Sequence, residues 1–345
     1  MDFSITGILL ADGLTNGAIY GLVALALVLV FAVTRVIFIP QGEYVALAAL
    51  SMAALQSGQV PGTTWLLVVL ACACALVSLV RGLRAGRSVA SCCKVAARTL
   101  AWPLAVALAT WWLVPKGMPM VAQIVLALAL VTALGPLIYD IAYQPIAHAS
   151  VLVLLMVSVG VHFVLTGLGL IFFGAEGFRT PAFWDQRIDF HLMSVSGQAV
   201  IILTAAAALI AGLYVFFRRT LSGKALRATA VNRSGARLLG ISADGAGRLS
   251  FTLAAFIGAL SGVMIGPTTT IFYDSGFIIG LKGFVAAVFA GLTSFPLALS
   301  GALLLGVIES FSSFWASAFK EVIVFTVILP VLAWRSVVDA HAEEH

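Results

Sequence analysis

Charge is what this sequence has least of. Its 345 residues carry 19 Lys and Arg against 14 Asp and Glu, 10% charged in all, while 62% are hydrophobic and the mean hydropathy is +1.12. So little polar surface cannot cover a soluble globule of this length, which marks the chain as an integral membrane protein. Catalytic signatures are missing as well. Without a G-x-x-x-x-G-K-[ST] phosphate loop the chain is not expected to bind or hydrolyse ATP. The lack of H-E-x-x-H, of G-x-S-x-G and of a Cys, His, Asp and Glu cluster at ligand spacing argues against an intramembrane enzyme or a metal site. Four cysteines are present: Cys72 and Cys74 in an apolar run, Cys92 and Cys93 side by side in a basic loop. Neither pair has the spacing of a disulfide framework or a zinc site, so all four are expected to be free thiols. Residues 1–10 lack a positive n-region and the first apolar run continues to Val33, so a retained helix is expected there, not a cleaved signal.

What is present is a succession of apolar runs separated by short polar pieces. Runs are read at 8–33, 41–56, 65–80, 102–114, 121–138, 150–173, 194–217, 251–266, 280–291, 297–315 and 322–334. This is an all-α polytopic bundle of about nine to eleven membrane segments, forming one domain over 1–345. The run at 280–291 is too short to cross about 30 Å of hydrocarbon upright; with Thr293, Ser294 and Pro296 after it, it reads as a short or broken helix of the kind that lines a cavity. Two loops hold most of the positive charge. Arg81, Arg84, Arg87, Lys94 and Arg98 fall in the first, and Arg218 to Arg237 in the second, with no acid in either. The positive-inside rule puts both in the cytoplasm, four crossings apart, and the polar tail 339–345 with them. The net charge of +5 is explained by this topology and implies a lipid bilayer, not nucleic acid, as the partner. The stretch 174–191 has more acids than bases and reads as periplasmic.

Two glycine stripes recur at four-residue spacing, Gly13, Gly17, Gly21 and Gly258, Gly262, Gly266. Stripes of this kind let helix backbones approach closely in lipid. Asn16 and Tyr20 lie near the first stripe and either pack there or face a substrate path. Gln41 and Glu43 follow Pro40 in what reads as the first turn of a helix, where an acid complements the helix dipole. His162 within an apolar run and Glu309 beside Ser310, Ser312 and Ser313 are intramembrane ionisable groups. Such groups are candidates for a pathway. A hydrogen bond to a neighbouring helix for His162, and a place at the membrane boundary for Glu309, are the plainer alternatives.

The most polar stretch is 221–242, LSGKALRATAVNRSGARLLGIS. It reads as a cationic helix with Leu226, Ala230 and the Arg233 turn along one side, ended by Gly240. Its A-x-A-x-N-x-x-x-A-x-L-L-G-I run, written by Ala228, Ala230, Asn232, Ala236, Leu238, Leu239, Gly240 and Ile241, resembles the coupling segment of permease subunits in branched-chain amino acid ATP-binding-cassette importers. GAIYGLVALALVLVFAVTRVIFIPQGEYVALAAL and GLKGFVAAVFAGLTSFPLALSGALLLGVIES are similar to the same family, nearest its H-type permease. The segment 78–120 looks extra relative to that pattern.

The resemblance implies that Arg227, Ala230, Asn232, Arg233, Ala236, Leu238, Leu239 and Gly240 dock on an ATPase subunit. It implies further partners: a homologous M-type permease, two ATP-binding-cassette ATPases that carry the ATP and Mg, and a periplasmic binding protein, all at a bacterial inner membrane. It also raises a gating or subunit-contact role for Gln41 and Glu43. Branched-chain or other small amino acids are the first substrate expectation, with urea, amides or small organic acids in the same class. An ion-coupled secondary transporter remains the alternative; it would need His162, Glu43 or Glu309 near the midplane.

Overall fold

The computed structural model describes residues 3–333 apart from 85, 87, 191, 192, 293, 328 and 332, so the expected cytoplasmic tail 339–345 and the far end of the last run lie outside it. The chain runs α1 (Phe3–Thr34), α2 (Gln41–Gln56), α3 (Gly62–Arg84), α4 (Val89–Leu113), α5 (Met120–Ile138), α6 (Val151–Phe173), a hairpin of β1 (Arg187–Phe190) and β2 (Met193–Ser196), α7 (Gly197–Arg219), α8 (Leu221–Val231), α9 (Arg233–Leu238), α10 (Ala243–Ile265), α11 (Ser275–Phe289), α12 (Phe295–Trp315) and α13 (Lys320–Thr326). Eight helices among the described residues are long and apolar enough to cross a bilayer. The shorter α2 and α11 complete an all-α multi-pass bundle with a number of segments in the expected range.

Helix α1 is the axis of the bundle, buried from Ala18 onward and packed along α12, α10 and α11. The first glycine stripe makes this possible. A methyl group on Gly17 would sit 2.8 Å from Leu303 Cα, so the α1 and α12 backbones touch with no side chain between them. The second stripe does the same between α10 and α2: Gly258 lies against Tyr44, and Gly262 against Val45 and Ala48. Helix α2 is buried on nearly every side, and at about 24 Å of rise it is shorter than the hydrocarbon layer.

Three expectations are corrected. The basic loop at 81–98 is mostly helix, because α3 runs to Arg84 and α4 starts at Val89, its first turn capped by Ser88. Lys and Arg are good helix formers whose long stems can lie along apolar surface while the charge stays in water, so a run of them does not force a loop. The run expected from 194 begins as strand, since Arg187↔Ser196 to Phe190↔Met193 pair as an antiparallel ribbon and α7 starts only at Gly197. The alternating R-I-D-F and M-S-V-S patterns have the period of a strand. Finally, 221–242 is two helices, not one.

Polar links fix which segments share an end. Arg81 donates to Gln144 Oε1 at 3.4 Å, Arg248 pairs with Asp140 at 2.9 Å and Arg233 donates to the Ala147 carbonyl at 3.2 Å, bringing both basic stretches to one end of the bundle. At the other end Phe178 pairs with Ile271, Arg179 donates to the Pro267 carbonyl and Gln198 to that of Met264. This basic end is the one that the positive-inside rule expects in the cytoplasm.

Candidate functional site

At the end away from the basic stretches the bundle opens into a cavity of about 750 Å³. Helix α1 contributes Asp12, Thr15 and Asn16 to its wall, and α12 contributes Glu309, Ser310 and Ser313; Arg179, Arg187 and Lys320 also line it. Asn16 and Glu309 are therefore brought together on two helices nearly 300 residues apart in sequence, because the glycine stripe presses α1 onto α12.

Glu309 is 7% exposed and sits about 9 Å inside the outer end of α12, at six residues of helical rise. Its Oε1 accepts from Lys282 Nζ at 2.6 Å, and Lys282 Nζ also donates to Glu321 Oε1 at 3.1 Å. Tyr20 is buried with its ring 5.5 Å from the same ammonium. A buried lysine in hydrocarbon is sustained only by such opposite charges. Lys282 and Glu321 escaped the sequence reading. The signal was visible, a lone lysine within the apolar GLKGFVAAVF, but it was absorbed into the short-helix interpretation.

A second buried pair lies in the middle of the bundle. His162 Nδ1 of α6 is 3.0 Å from Glu43 Oε1 of α2, with Thr166 Oγ1 at 3.5 Å from the same nitrogen and the ring of Phe277 stacked at 4.9 Å. His162 is thus hydrogen-bonded to a neighbouring helix, as its plainer reading held. Gln41 donates to the Ala254 carbonyl at 2.9 Å while its Oε1 is buried without a partner. The α2 entrance is therefore tied to α6, α10 and, through Gly42 and Gly276, to α11.

The third region is the polar elbow at the basic end. Asn232 leaves helical geometry (φ −147°, ψ 99°) and its Oδ1 accepts from Gly235 N at 2.8 Å, capping α9. This break is the physical reason the single helix expected there is two: an Asn side chain competes with the helix for backbone donors. Gly240 has φ +82° and Ile241 N returns to the Ala236 carbonyl at 3.0 Å, a left-handed stop at the expected residue. Leu226 is buried in one cluster with Leu29 and Val33 of α1 and Ala246 of α10, and Ala236 is buried beside the groove between α8 and α9. Leu238 and Leu239 point outward, 89% and 81% exposed, as does Val231. Arg227 and Ala228 face the shallow groove between α8 and α9, and Ala230 packs toward the Leu226 cluster.

A bundle of apolar helices with buried charge pairs, a polar cavity at one end and a cationic elbow at the other is a multi-pass membrane permease. Residues 100–332 match the family described as branched-chain amino acid transport system / permease component. The chain is 33% identical over 230 residues to the high-affinity branched-chain amino acid transport system permease protein LivH of Escherichia coli strain K12, covering 64% of this chain and 72% of that one. It is 31% identical over 231 residues to LivH of Salmonella typhimurium, covering 65% and 73%, and 28% identical over 223 residues to the permease protein BraD of Pseudomonas aeruginosa, covering 63% and 73%. The chain belongs to this permease family.

Proposed function

We propose that this chain is the membrane-spanning permease subunit of an ATP-binding-cassette importer, forming half of the translocation path for branched-chain or other small amino acids. The supporting observation is the elbow α8–α9: a short cationic double helix anchored to the body through Leu226, yet presenting Val231, Leu238 and Leu239 to solvent. Large apolar side chains exposed at the water-facing end of a membrane protein suit a surface that another subunit covers. The elbow reaches α1 and α10 directly, so a displacement of it moves the helices that border the cavity and the buried charge pairs. Energy enters at that contact. ATP and Mg²⁺ bind on two separate ATPase subunits, whose closure favours one state of the permease by its differential affinity for the elbow. A homologous M-type permease supplies the other half of the path, and a periplasmic binding protein delivers substrate to the cavity end, across a bacterial inner membrane.

The chain, tagged and extracted in detergent, is expected to carry Walker-motif ATPases and a homologous permease, identified by mass spectrometry. Uptake in vesicles is expected to stop on ATP depletion and to survive collapse of the proton gradient. Leu239→Asp, at a position with no intramolecular packing to lose, is expected to lower uptake more than tenfold while leaving membrane insertion intact; full transport in that variant would remove the docking role. The buried Glu43–His162 pair is what favours the second reading, an ion-coupled carrier. Uptake that survives ATP depletion and fails with the proton gradient would establish that reading instead.

A further inference from the structure

The outer cavity carries charges of both signs: Glu309, Asp12 and Lys320 come from the helix side, and Arg179, Asp185 and Arg187 from the loop side. Behind Glu309, one buried ammonium, Lys282, is shared by Glu309 and Glu321, and Lys320 stands 3.9 Å from Glu321 alone, so Glu309 shares its paired cation with a second carboxylate. Glu309 Oε2 and Glu321 Oε2 are both buried and lack a donor within hydrogen-bond distance, with the Tyr20 hydroxyl facing Glu309. A buried carboxylate oxygen without a donor is unfavourable, and more so than a neutral one. Ser310 and Ser313 on the same helix, and Asn16 opposite, offer further polar atoms within the cavity.

We infer that this cavity is an outer substrate site that takes the primary ammonium group of a zwitterionic amino acid onto Glu309, with the carboxylate directed to Arg179 and Arg187 on the loop side. The inference rests on the permease reading above and adds to it the substrate's orientation and its receptor. The incoming ammonium competes with Lys282 for Glu309. Lys282 is not stranded, because Glu321 still accepts from it, so the exchange leaves both Lys282 and Glu309 with an opposite charge. Since Lys282 stands on α11, Glu309 on α12 and Glu321 on α13, loosening the Lys282–Glu309 bond releases α11 from α12 at the mouth of the path. Glu309 would thereby sense an occupied cavity.

The test uses the purified importer complex in lipid nanodiscs without binding protein, titrated to tens of millimolar with four probes in a thermal-shift measurement. These are L-leucine, isopentylamine, which lacks the carboxylate, 4-methylpentanoate, which lacks the ammonium, and sodium chloride. Leucine and isopentylamine are expected to stabilise the complex, with 4-methylpentanoate and salt inert. Glu309→Gln is expected to weaken the amine response at least tenfold, and Glu176→Gln, exposed on the outer connection and outside the cavity lining, to leave it within threefold. No response to either amine, an equal response to the acid or to sodium, or an unchanged response in E309Q would overturn the assignment. If E309Q does not assemble, the wild-type comparison of the four probes decides alone. ATP-driven leucine uptake by the wild-type complex with no amine response would sink this site and leave the importer reading standing. An amine response in a chain whose uptake ignores ATP would do the reverse.

Discussion

Replacing Gly17 by Ala tests the contact on which the cavity depends. A Cβ at Gly17 would fall 2.8 Å from Leu303 Cα and 2.9 Å from the Ala302 carbonyl oxygen, both backbone atoms that cannot rotate away. Ordinary carbon contacts are about 3.5–4.0 Å, so α1 and α12 must separate by roughly 0.7–1 Å, enough to forfeit a quarter to a half of each dispersion contact along the seam. Overpacking of this kind costs about 1–3 kcal/mol. Alanine also has the better helix propensity, by about 1 kcal/mol, which partly masks the loss. Gly212→Ala on α7 isolates that offset, since nothing lies within 4 Å of a Cβ there. Thermal or denaturant unfolding of the purified chain in detergent, followed by tryptophan fluorescence, is expected to place G17A about 1–3 kcal/mol below G212A. If G17A is as stable as G212A, the backbones do not touch and the closure of α1 on α12 is wrong.

Removing His162 as His162→Ala takes from the buried Glu43 its hydrogen-bond partner, and loss of one partner from a buried hydrogen bond costs about 1–3 kcal/mol. The double replacement Glu43→Leu/His162→Leu is expected to recover most of that stability, and additive single losses in the unfolding cycle would show that the two do not interact. Asn232→Ala deletes the cap on Gly235 N and is expected to cost α9 about 0.5–2 kcal/mol, read as faster amide exchange confined to residues of that helix. Uniform exchange across the chain would contradict a local cap. Cys93 is exposed at the basic end while its neighbour Cys92 is buried against Gly82. A membrane-impermeant maleimide is expected to label Cys93 and spare Cys92 in inside-out vesicles and to label neither in right-side-out ones; the reverse would invert the topology.

Much of this architecture was legible residue by residue. The apolar runs gave the helices because lipid requires each spanning segment to satisfy its own backbone, and the two basic stretches, expected on one side by the charge rule, do share one end of the bundle. Gly240 as a stop and the two glycine stripes as close contacts were readable for the same reason, since backbone conformation and small size are properties of the residue itself. Asn232 was misread because the same residue either continues a helix or caps the next one, and Leu226 and Ala236, buried on either side of the break, fit both.

The charge pairs belong to tertiary structure alone. Glu43 and His162 stand 119 residues apart, and Lys282 meets Glu309 across 27 and Glu321 across 39; no local pattern relates them. A charge in hydrocarbon must find an opposite charge, which the sequence states as a requirement at each position. Which partner satisfies it depends on helices that meet only after packing, and here the bare backbones of Gly13 and Gly17 against α12 set that packing and with it the place of Glu309 at the cavity wall.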